Sequence, residues 1–140
     1  MTQEEKELLL KDLFARLPYG AFVQFEVDGL KTIKPLNMDF LSSTWYHTEW
    51  IKPYLRPMKS MTKGEKEEYR KLCKKVVRKL YVADGKSWPS NKTSYRYFGT
   101  KTEYYDTYQS IDYLISRHFD YRGLIGKKLA LKATKGMYEF

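Results

Sequence analysis

Residues 107–131 read TYQSIDYLISRHFDYRGLIGKKLAL and contain a predicted helix, a turn and an apolar return segment. Ser110 is a favourable N-cap residue, and the apolar side chains after it recur at helical spacing. The predicted inner face of this helix consists of Ile111, Leu114, Ile115, His118 and Phe119. Gly123 suits the left-handed backbone of a turn, and the apolar residues of 124–131 are expected to return to the same core. This stretch indicates architecture rather than function.

The first half of the chain predicts a helix followed by a hairpin. Thr2 and Glu5 have the spacing of a capping box, so a helix is expected over residues 2–17. In AFVQFEVDGLKTI (21–33), Val23, Phe25 and Val27 alternate with polar residues before Asp28-Gly29, the preferred pair for a type I′ turn, whereas Leu30 and Ile33 after it are out of phase with strict alternation. Pro35 places the second strand at a sheet edge or ends it. Residues 44–51, TWYHTEWI, are predicted as a third strand, and the prolines of IKPYLRPM (51–58) predict an extended loop.

The second half predicts one long helix and further strands. Thr62 and Glu65 form a second capping box, and a helix is expected over residues 62–80 with Cys73 in the middle of its apolar arc. Strands are expected at about 93–98 and 102–106, with a last strand in KKLALKA (127–133). The predicted fold class is α+β: a small antiparallel sheet packed against two or three helices, with residues 1–140 in a single domain.

Composition restricts the compartment and the partners. One cysteine in 140 residues excludes an internal disulfide and fits a reducing compartment. The N-terminus lacks a signal-peptide pattern, and no apolar run is long enough to span a membrane. A cytoplasmic location is therefore expected, without a membrane partner. The chain carries no recognised nucleotide or cofactor motif, and no cofactor is expected.

The positive charge is concentrated in one part of the chain. Residues 1–60 hold eight Lys/Arg and eight Asp/Glu, whereas residues 61–140 hold eighteen and nine, so the whole net charge of +9 lies in the second part. Such a concentration suggests an acidic partner, and it also has a simpler explanation in solubility.

The predicted helix 62–80 supplies the candidate nucleic-acid-binding residues. Its basic side has two ridges with a spacing of four residues, made by Arg70, Lys74 and Arg78 and by Lys71, Lys75 and Lys79. Downstream lies a mixture of aromatic and cationic residues suited to base stacking: Trp88, Tyr95, Arg96, Tyr97, Phe98, Tyr104 and Tyr105. The competing interpretation is a solvated helix surface and a tyrosine-rich sheet face packed on the core. A helix of this kind could bind phosphates, with an affinity that falls steeply with salt.

Candidates for catalysis and metal binding are few. His47 and Glu49 would share one face of the predicted strand, which suits acid–base chemistry but also arises by chance. His118 on an apolar helix face is expected to be half-buried, and it is a weaker third candidate. A buried Cys73 would be unreactive. Two histidines and one cysteine without a recognised spacing predict no metal site.

Four phrases carry a resemblance to a protein family: MTQEEKELLLKDLFARLPYG (1–20), IKPYLRPMKSMT (51–62), HFDYRGLI (118–125) and LALKATKGMY (129–138). They resemble short proteins of gut Bacteroides-type bacteria, their phages and mobile elements. The resemblance covers about half of the chain and implies a bacterial or mobile-element setting without a particular activity. Because HFDYRGLI matches fully, it marks His118, Asp120, Tyr121 and Arg122 as a common polar feature, in which Asp120 and Arg122 are either a structural pair in the turn or a ligand site.

Three functions are therefore open. The first is a non-enzymatic cytoplasmic binding module with a protein partner, suggested by the many aromatic residues and the sparse catalytic set. The second is a nucleic-acid-binding accessory protein that uses residues 62–80. The third is a small hydrolase or nuclease that uses His47 and Glu49, with His118 near them. The sequence leaves the oligomeric state open.

Overall fold

The computed structural model describes residues 1–87 and 92–138, and within them the chain has the predicted α+β class. Trp88 lies outside the described residues. The helices are α1 (Gln3–Arg16), α2 (Met38–Thr44), α3 (Lys63–Leu72) and α4 (Tyr108–Ser116). The strands are β1 (Phe22–Val27), β2 (Leu30–Pro35), β3 (Ile51–Leu55), β4 (Lys74–Ser87), β5 (Lys92–Tyr105) and β6 (Leu131–Lys132). Three 3₁₀ turns occupy Leu17–Tyr19, Trp45–Trp50 and Met58–Ser60.

Two of the predicted start signals are confirmed. The Thr2 hydroxyl accepts the Glu5 amide at 3.1 Å, and the Glu5 carboxylate accepts the Thr2 amide at 3.2 Å, which is the complete capping box of α1. Thr62 and Glu65 make the same reciprocal pair at the start of α3. These bonds satisfy amides that would otherwise have no partner within the helix.

The predicted hairpin is also confirmed, and it begins a four-stranded sheet of order β2-β1-β3-β6. Asp28 and Gly29 both have positive φ, as a type I′ turn requires. β2 ends at Pro35 and lies at the edge of the sheet, where the missing amide is tolerated. β1 pairs antiparallel with both β2 and β3, and β3 pairs parallel with β6.

The predicted strand over residues 44–51 is wrong. Asn37 caps α2 by accepting the Phe40 amide at 2.8 Å, and the chain then continues from α2 into the 3₁₀ turns of Trp45–Trp50. Neighbouring rings contact one another along this segment, including His47 stacked on Trp50 with centroids 3.8 Å apart. Side-chain stacking within the segment replaces the strand pairing that its composition suggests.

The strand that pairs with β1 instead begins at Ile51, inside the segment predicted as a loop. β3 contains Pro53, which has no amide hydrogen to donate. β6 pairs only with Tyr54 and Leu55, the two residues that follow, so no bond to β6 is lost at Pro53. The prediction of an extended path here was correct, whereas the sheet position could not be read from the prolines.

The predicted helix over residues 62–80 is wrong beyond Leu72. Cys73 has an extended backbone and is half-buried, not in the middle of an apolar arc, and β4 begins at Lys74. A helix through residue 79 would place four like-charged pairs at i,i+4 within its two basic ridges, at a total cost of about 1–2 kcal/mol. The β-branched pair Val76-Val77 also favours a strand. The basic ridges predicted on this helix therefore do not exist.

Two apolar clusters form the core. The larger one joins α1, α2 and the four-stranded sheet, with Leu9, Leu13, Val23, Leu41, Ile51, Leu55, Leu124 and Leu129 among its members. The smaller one lies between α3 and α4 and contains Met61, Leu114 and Phe119. The return segment after Gly123 therefore packs in the larger cluster, and not in the same cluster as α4. No helix among the described residues is both long and apolar enough to cross a membrane.

The start and end of α4 differ from the prediction. Thr107 is the N-cap, and Ser110 is the third helical residue, whose hydroxyl accepts the Thr107 amide at 2.7 Å. The helix ends at Ser116, so His118 does not lie on a helical face; it has φ +66° instead. Thr107 competes successfully for the cap because its hydroxyl also donates to the Leu72 carbonyl at 2.6 Å, a contact between distant parts of the sequence.

Candidate functional site

Strands β4 and β5 form a two-stranded antiparallel sheet separate from the four-stranded one. We call these two strands the arm. Each strand has 14 residues, which corresponds to a length of about 45 Å. The arm contributes no residue to either core cluster, and none of its described side chains is fully buried. It is therefore a ribbon whose two faces are both open to solvent.

The base of the arm is fixed to the two helices beside it. The Tyr69 hydroxyl of α3 donates to the Asp106 carboxylate, and burial followed by this hydrogen bond raises the pKa of Tyr69. The bond from Thr107 to the Leu72 carbonyl lies one residue further on. These contacts hold together the residues that precede β4 and follow β5, so the direction of the arm is set by α3 and α4.

The register of β4 and β5 assigns each side chain to one of two faces. Successive residues of a strand point to opposite faces, and directly paired residues share a face. Register shifts occur between Leu80 and Tyr81, where Phe98 is the extra residue, and between Ala83 and Gly85. We call the two faces the ionic face and the tyrosine face. The ionic face comprises Lys74, Val76, Arg78, Leu80, Val82, Arg96, Gly99, Lys101, Glu103 and Tyr105. The tyrosine face comprises Lys75, Val77, Lys79, Tyr81, Ala83, Tyr95, Tyr97, Thr100, Thr102 and Tyr104.

One carboxylate on the ionic face, Glu103, is shared by two of the four cations of that face, Arg78 and Lys101. The Glu103 carboxylate lies 3.7 Å from Arg78 Nε and 3.3 Å from Lys101 Nζ, and it accepts a hydrogen bond from the Tyr105 hydroxyl. That hydrogen bond, with the neighbouring cations, lowers the pKa of Glu103 below its ordinary value. The carboxylate neutralises part of the positive charge, so this face offers less to an anionic ligand than its composition suggests.

The ten residues that the register places on the tyrosine face include two lysines and four tyrosines but no carboxylate. Tyr81 and Tyr97 meet edge to face with centroids 5.8 Å apart, and each is 53% exposed. Tyr95 is 66% exposed. Lys75 and Lys79 make no ion pair with any residue that the structure describes. This face therefore combines uncompensated positive charge with exposed aromatic surface.

A shallow cleft opens on the tyrosine face. It has a volume of about 620 Å³ and is lined by Lys79, Tyr81 and Tyr95 of this face, together with Leu80, which the register assigns to the ionic face. At the base of the same face, the Arg70 guanidinium lies over the Tyr104 ring, 5.5 Å from its centroid. Cations thus follow the face from α3 outward at Arg70, Lys75 and Lys79. Phosphate contacts along a chain and rings for flat ligands are the chemistry that this arrangement can supply.

The structure places all nine residues predicted for nucleic-acid binding in or beside the arm, but on both of its faces. Arg70 and Lys71 lie in the last turn of α3, beside the base of the arm, and the other seven lie in the arm: Lys74, Lys75, Arg78, Lys79, Tyr95, Arg96 and Tyr97. Strand pairing joins the two segments that carry these seven residues, since Val82 pairs with Arg96 and Ala83 with Tyr95. The helical geometry predicted for these residues is wrong beyond Leu72, and their role in binding stays a prediction.

The residues of the HFDYRGLI phrase form a separate, largely buried cluster. The Asp120 carboxylate accepts the Leu124 and Ile125 amides at 2.7 and 2.9 Å, which fixes the turn around Gly123. Arg122 pairs with Asp12 of α1 at 3.3 Å and lies over the Tyr121 ring, so it is not the partner of Asp120. The cluster therefore ties the turn to the first helix.

Asp12 lies between Arg16 and Arg122, and these three residues were not predicted as a group. Asp12 Oδ2 lies 2.7 Å from Arg16 Nε, both residues are fully buried, and Arg16 Nη2 donates to the Phe119 carbonyl at 2.6 Å. In the sequence Asp12 and Arg16 are an ordinary i,i+4 pair on α1, of the kind that usually lies at the surface. Only the position of a distant carbonyl explains why they are buried.

His118 is buried against this cluster. Its ring stacks on Tyr138 with centroids 3.8 Å apart, and its carbonyl accepts the Arg56 amide at 2.7 Å. Burial, with the positive charges of Arg16 and Arg56, lowers the pKa of His118 to about 4. The imidazole is therefore neutral in the folded protein at pH 7, and it packs as an aromatic ring.

His47 and Glu49 are close together, although the predicted strand that would unite them is absent. His47 Nδ1 lies 3.4 Å from Glu49 Oε1, and both side chains are exposed. The pKa of Glu49 is lowered, first by a hydrogen bond from its own backbone amide and then by His47. Among the described contacts, none joins His118 to this pair. The described residues also contain no group of three or more His, Cys, Asp or Glu that could hold a metal ion.

Comparison of the chain with protein families, with curated proteins and with solved structures gives no match.

Proposed function

We propose that the protein is a binding module whose binding element is the arm, and that its ligand is a nucleic acid. The observation that carries this proposal is the charge of the arm. Residues 74–105 hold eight Lys/Arg and two acidic residues, which gives +6 of the net +9 of the chain. This charge lies on a ribbon that packs in neither core cluster.

The shape of the arm agrees with this ligand. A two-stranded ribbon fits the major groove of a duplex, and a row of lysines can follow a phosphate backbone outside it. Eight large hydrophobic side chains of the arm are exposed, and exposed apolar surface of this extent on a ribbon is typical of an interaction site. Because an isolated two-stranded sheet is only marginally stable in water, ligand contacts would also stabilise the arm.

The single cysteine and the family resemblance support a cytoplasmic setting in a bacterium, a phage or a mobile element. In that setting, the basic arm suits a nucleic-acid accessory protein. The exposed His47–Glu49 pair lies outside the arm and is not required for this function.

A salt titration of oligonucleotide binding tests the proposal. For each phosphate that a lysine neutralises, the slope of log affinity against log salt changes by about 0.9 for a duplex and 0.7 for a single strand. The double variant Lys75→Gln/Lys79→Gln is therefore expected to reduce the slope by about 1.4–1.8. The matched control Lys31→Gln/Lys34→Gln removes two exposed lysines from the edge strand β2 and is expected to change it little. Equal effects of the two pairs, or no binding by the wild-type chain at low salt, would refute the proposal.

A protein partner is the second candidate, favoured by a different surface. Trp45 and Tyr46 are 49% and 58% exposed and contact each other edge to face, and Trp and Tyr are the side chains that most often anchor protein interfaces. Binding of a protein partner at this surface would be lost in the variant Trp45→Ala/Tyr46→Ala and retained in Lys75→Gln/Lys79→Gln. The reverse pattern would exclude this surface.

A further inference from the structure

We propose that the tyrosine face of the arm binds single-stranded nucleic acid, with unstacked bases seated on Tyr95, Tyr97 and Tyr81. This inference rests on the proposed function, because it specifies which form of nucleic acid the arm prefers. It concerns the tyrosine face alone, since Tyr81, Tyr95 and Tyr97 lie on that face and the carboxylate of Glu103 lies on the other one.

The exposure of the rings is the first argument. In a duplex the base faces are already stacked, and only base edges and phosphates are accessible in the grooves. A ligand that offers only edges and phosphates gives exposed tyrosine rings little to contact. A single strand offers the base faces themselves, and aromatic side chains on a basic surface bind them with little dependence on sequence.

The spacing of the rings is the second argument. Tyr95 and Tyr97 are two residues apart on β5, and two residues of a strand extend about 6.6–6.8 Å. Stacked bases along one strand of a duplex are separated by about 3.4 Å. Successive bases that engage these two rings must therefore be about twice as far apart as in a duplex, which leaves room for one ring between them. Only an unpaired, extended strand can reach this spacing without distorting a partner strand.

The position of the cations is the third argument. Lys79 lines the same cleft of about 620 Å³ as Tyr81 and Tyr95, so a base in the cleft would have its phosphate within reach of an ammonium group. Lys75 lies four residues before Lys79 on the same face. No carboxylate of the paired residues lies on this face to repel the backbone. Rings and cations therefore follow one line, as a single strand requires.

Fluorescence anisotropy with two probes tests the inference. The probes are a labelled thymidine oligonucleotide of about 20 residues and the same oligonucleotide annealed to its complement, at about 50 mM salt. The full-length wild-type chain is expected to bind the single strand more tightly than the duplex. Tighter binding of the duplex, or equal binding of the two forms, would overturn the inference while the proposed function stands. No binding of either form would overturn both.

Variants of Tyr95 separate stacking from charge. Tyr95 has no ring partner among the described aromatic contacts and faces Ala83, so its replacement leaves the Tyr81–Tyr97 pair in place. Tyr95→Leu is expected to weaken single-strand binding about 5- to 100-fold, and Tyr95→Phe is expected to stay within about twofold of the wild type. The control Tyr108→Leu removes a 90% exposed ring from α4, outside the arm, and is expected to have no effect. An unchanged affinity of Tyr95→Leu would overturn the role of stacking. The preference for single strand over duplex is measured on the wild-type chain, so that test does not depend on whether any variant folds.

Discussion

Replacement of Asp12 by asparagine is expected to destabilise the protein more than any exposed charge change. Asp12 is fully buried and lies between two guanidinium groups, 2.7 Å from Arg16 Nε and 3.3 Å from Arg122 Nε. Asparagine has nearly the same shape but no charge. The substitution Asp12→Asn therefore leaves two guanidinium groups close together in a buried environment without a carboxylate.

The size of the effect follows from this geometry. Removing one partner of a buried ion pair costs about 3–5 kcal/mol, because the remaining charge is left without compensation. Domains of this size have a free energy of unfolding of roughly 5–15 kcal/mol, so the variant loses a large part of its stability. At roughly 3–5 °C per kcal/mol for a chain of this length, the melting temperature is expected to fall by about 10–20 °C.

Urea denaturation at pH 7, followed by circular dichroism, measures this loss. The matched control is Asp39→Asn, the same chemical change at an exposed position in the first turn of α2. The control is expected to lose no more than about 1 kcal/mol. A loss below about 1 kcal/mol in Asp12→Asn would refute the reasoning that this cluster is desolvated and holds the fold together.

Three further predictions concern stability. The pKa of His118 is lowered to about 4 from 6.5, so between these pH values the unfolded chain binds a proton that the folded chain does not. Stability should therefore fall as the pH drops from about 6.5 towards 4, by up to about 1.4 kcal/mol per pH unit. His118→Asn, which tolerates the positive φ, should lose this part of the slope in urea titrations at pH 7, 6 and 5, and an unchanged slope would contradict the assignment. Glu65→Gln should cost about 1–3 kcal/mol in the same assay at pH 7, because Glu65 accepts two hydrogen bonds from Arg56, at 2.8 and 2.7 Å. The exposed control Glu67→Gln should be nearly neutral. Gly29→Ala should cost about 1 kcal/mol through its φ of +80° alone, since an added Cβ meets no atom within 4 Å, and a stability equal to wild type would show that the turn relaxes.

Local signals in the sequence predicted the local parts of the fold. The capping boxes at Thr2 and Thr62 and the Asp28-Gly29 turn depend on residues at most three positions apart, and the structure contains all of them. The edge position of β2 also followed from one residue, Pro35. In each case the interaction that decides the geometry lies within the segment that carries the signal.

The arm was not predicted because its pairing is not local. Val76 and Leu80 are four residues apart and fit a helical stripe, yet both also lie on one face of a strand. The partner strand β5 decides between the two, and its tyrosines looked equally suited to a face packed on the core. A helix through residue 79 would place like charges four residues apart, and giving this repulsion more weight than the apolar stripe would have favoured a strand from the sequence alone.

The buried cluster around Asp12 and Asp120 was predicted only in part, because its contacts are also not local. The HFDYRGLI phrase drew attention to Asp120 and Arg122, but their partners are backbone amides and Asp12, which is 110 positions from Arg122. No pattern within a single segment identifies such a partner. His118 was expected on a helical face because the predicted helix ran to Phe119, three residues beyond its end at Ser116.

The most direct test of the central claim is to remove the arm and repeat the salt titration. Val77 pairs directly with Thr102, so Asn-Gly in place of residues 78–101 closes the ribbon with a two-residue turn. The replaced segment holds six Lys/Arg and one acidic residue, so the net charge falls by five, from +9 to +4. No residue of either core cluster is lost, and the free energy of unfolding is expected to stay within about 1 kcal/mol of wild type.

For this shortened protein, we predict that oligonucleotide affinity falls at least 100-fold at low salt and that its salt dependence nearly disappears. The full-length protein, measured beside it, should lose affinity steeply as salt rises. A shortened protein that remains folded and binds as tightly as the full-length chain, with the same salt slope, would contradict the claim that the arm is the binding element.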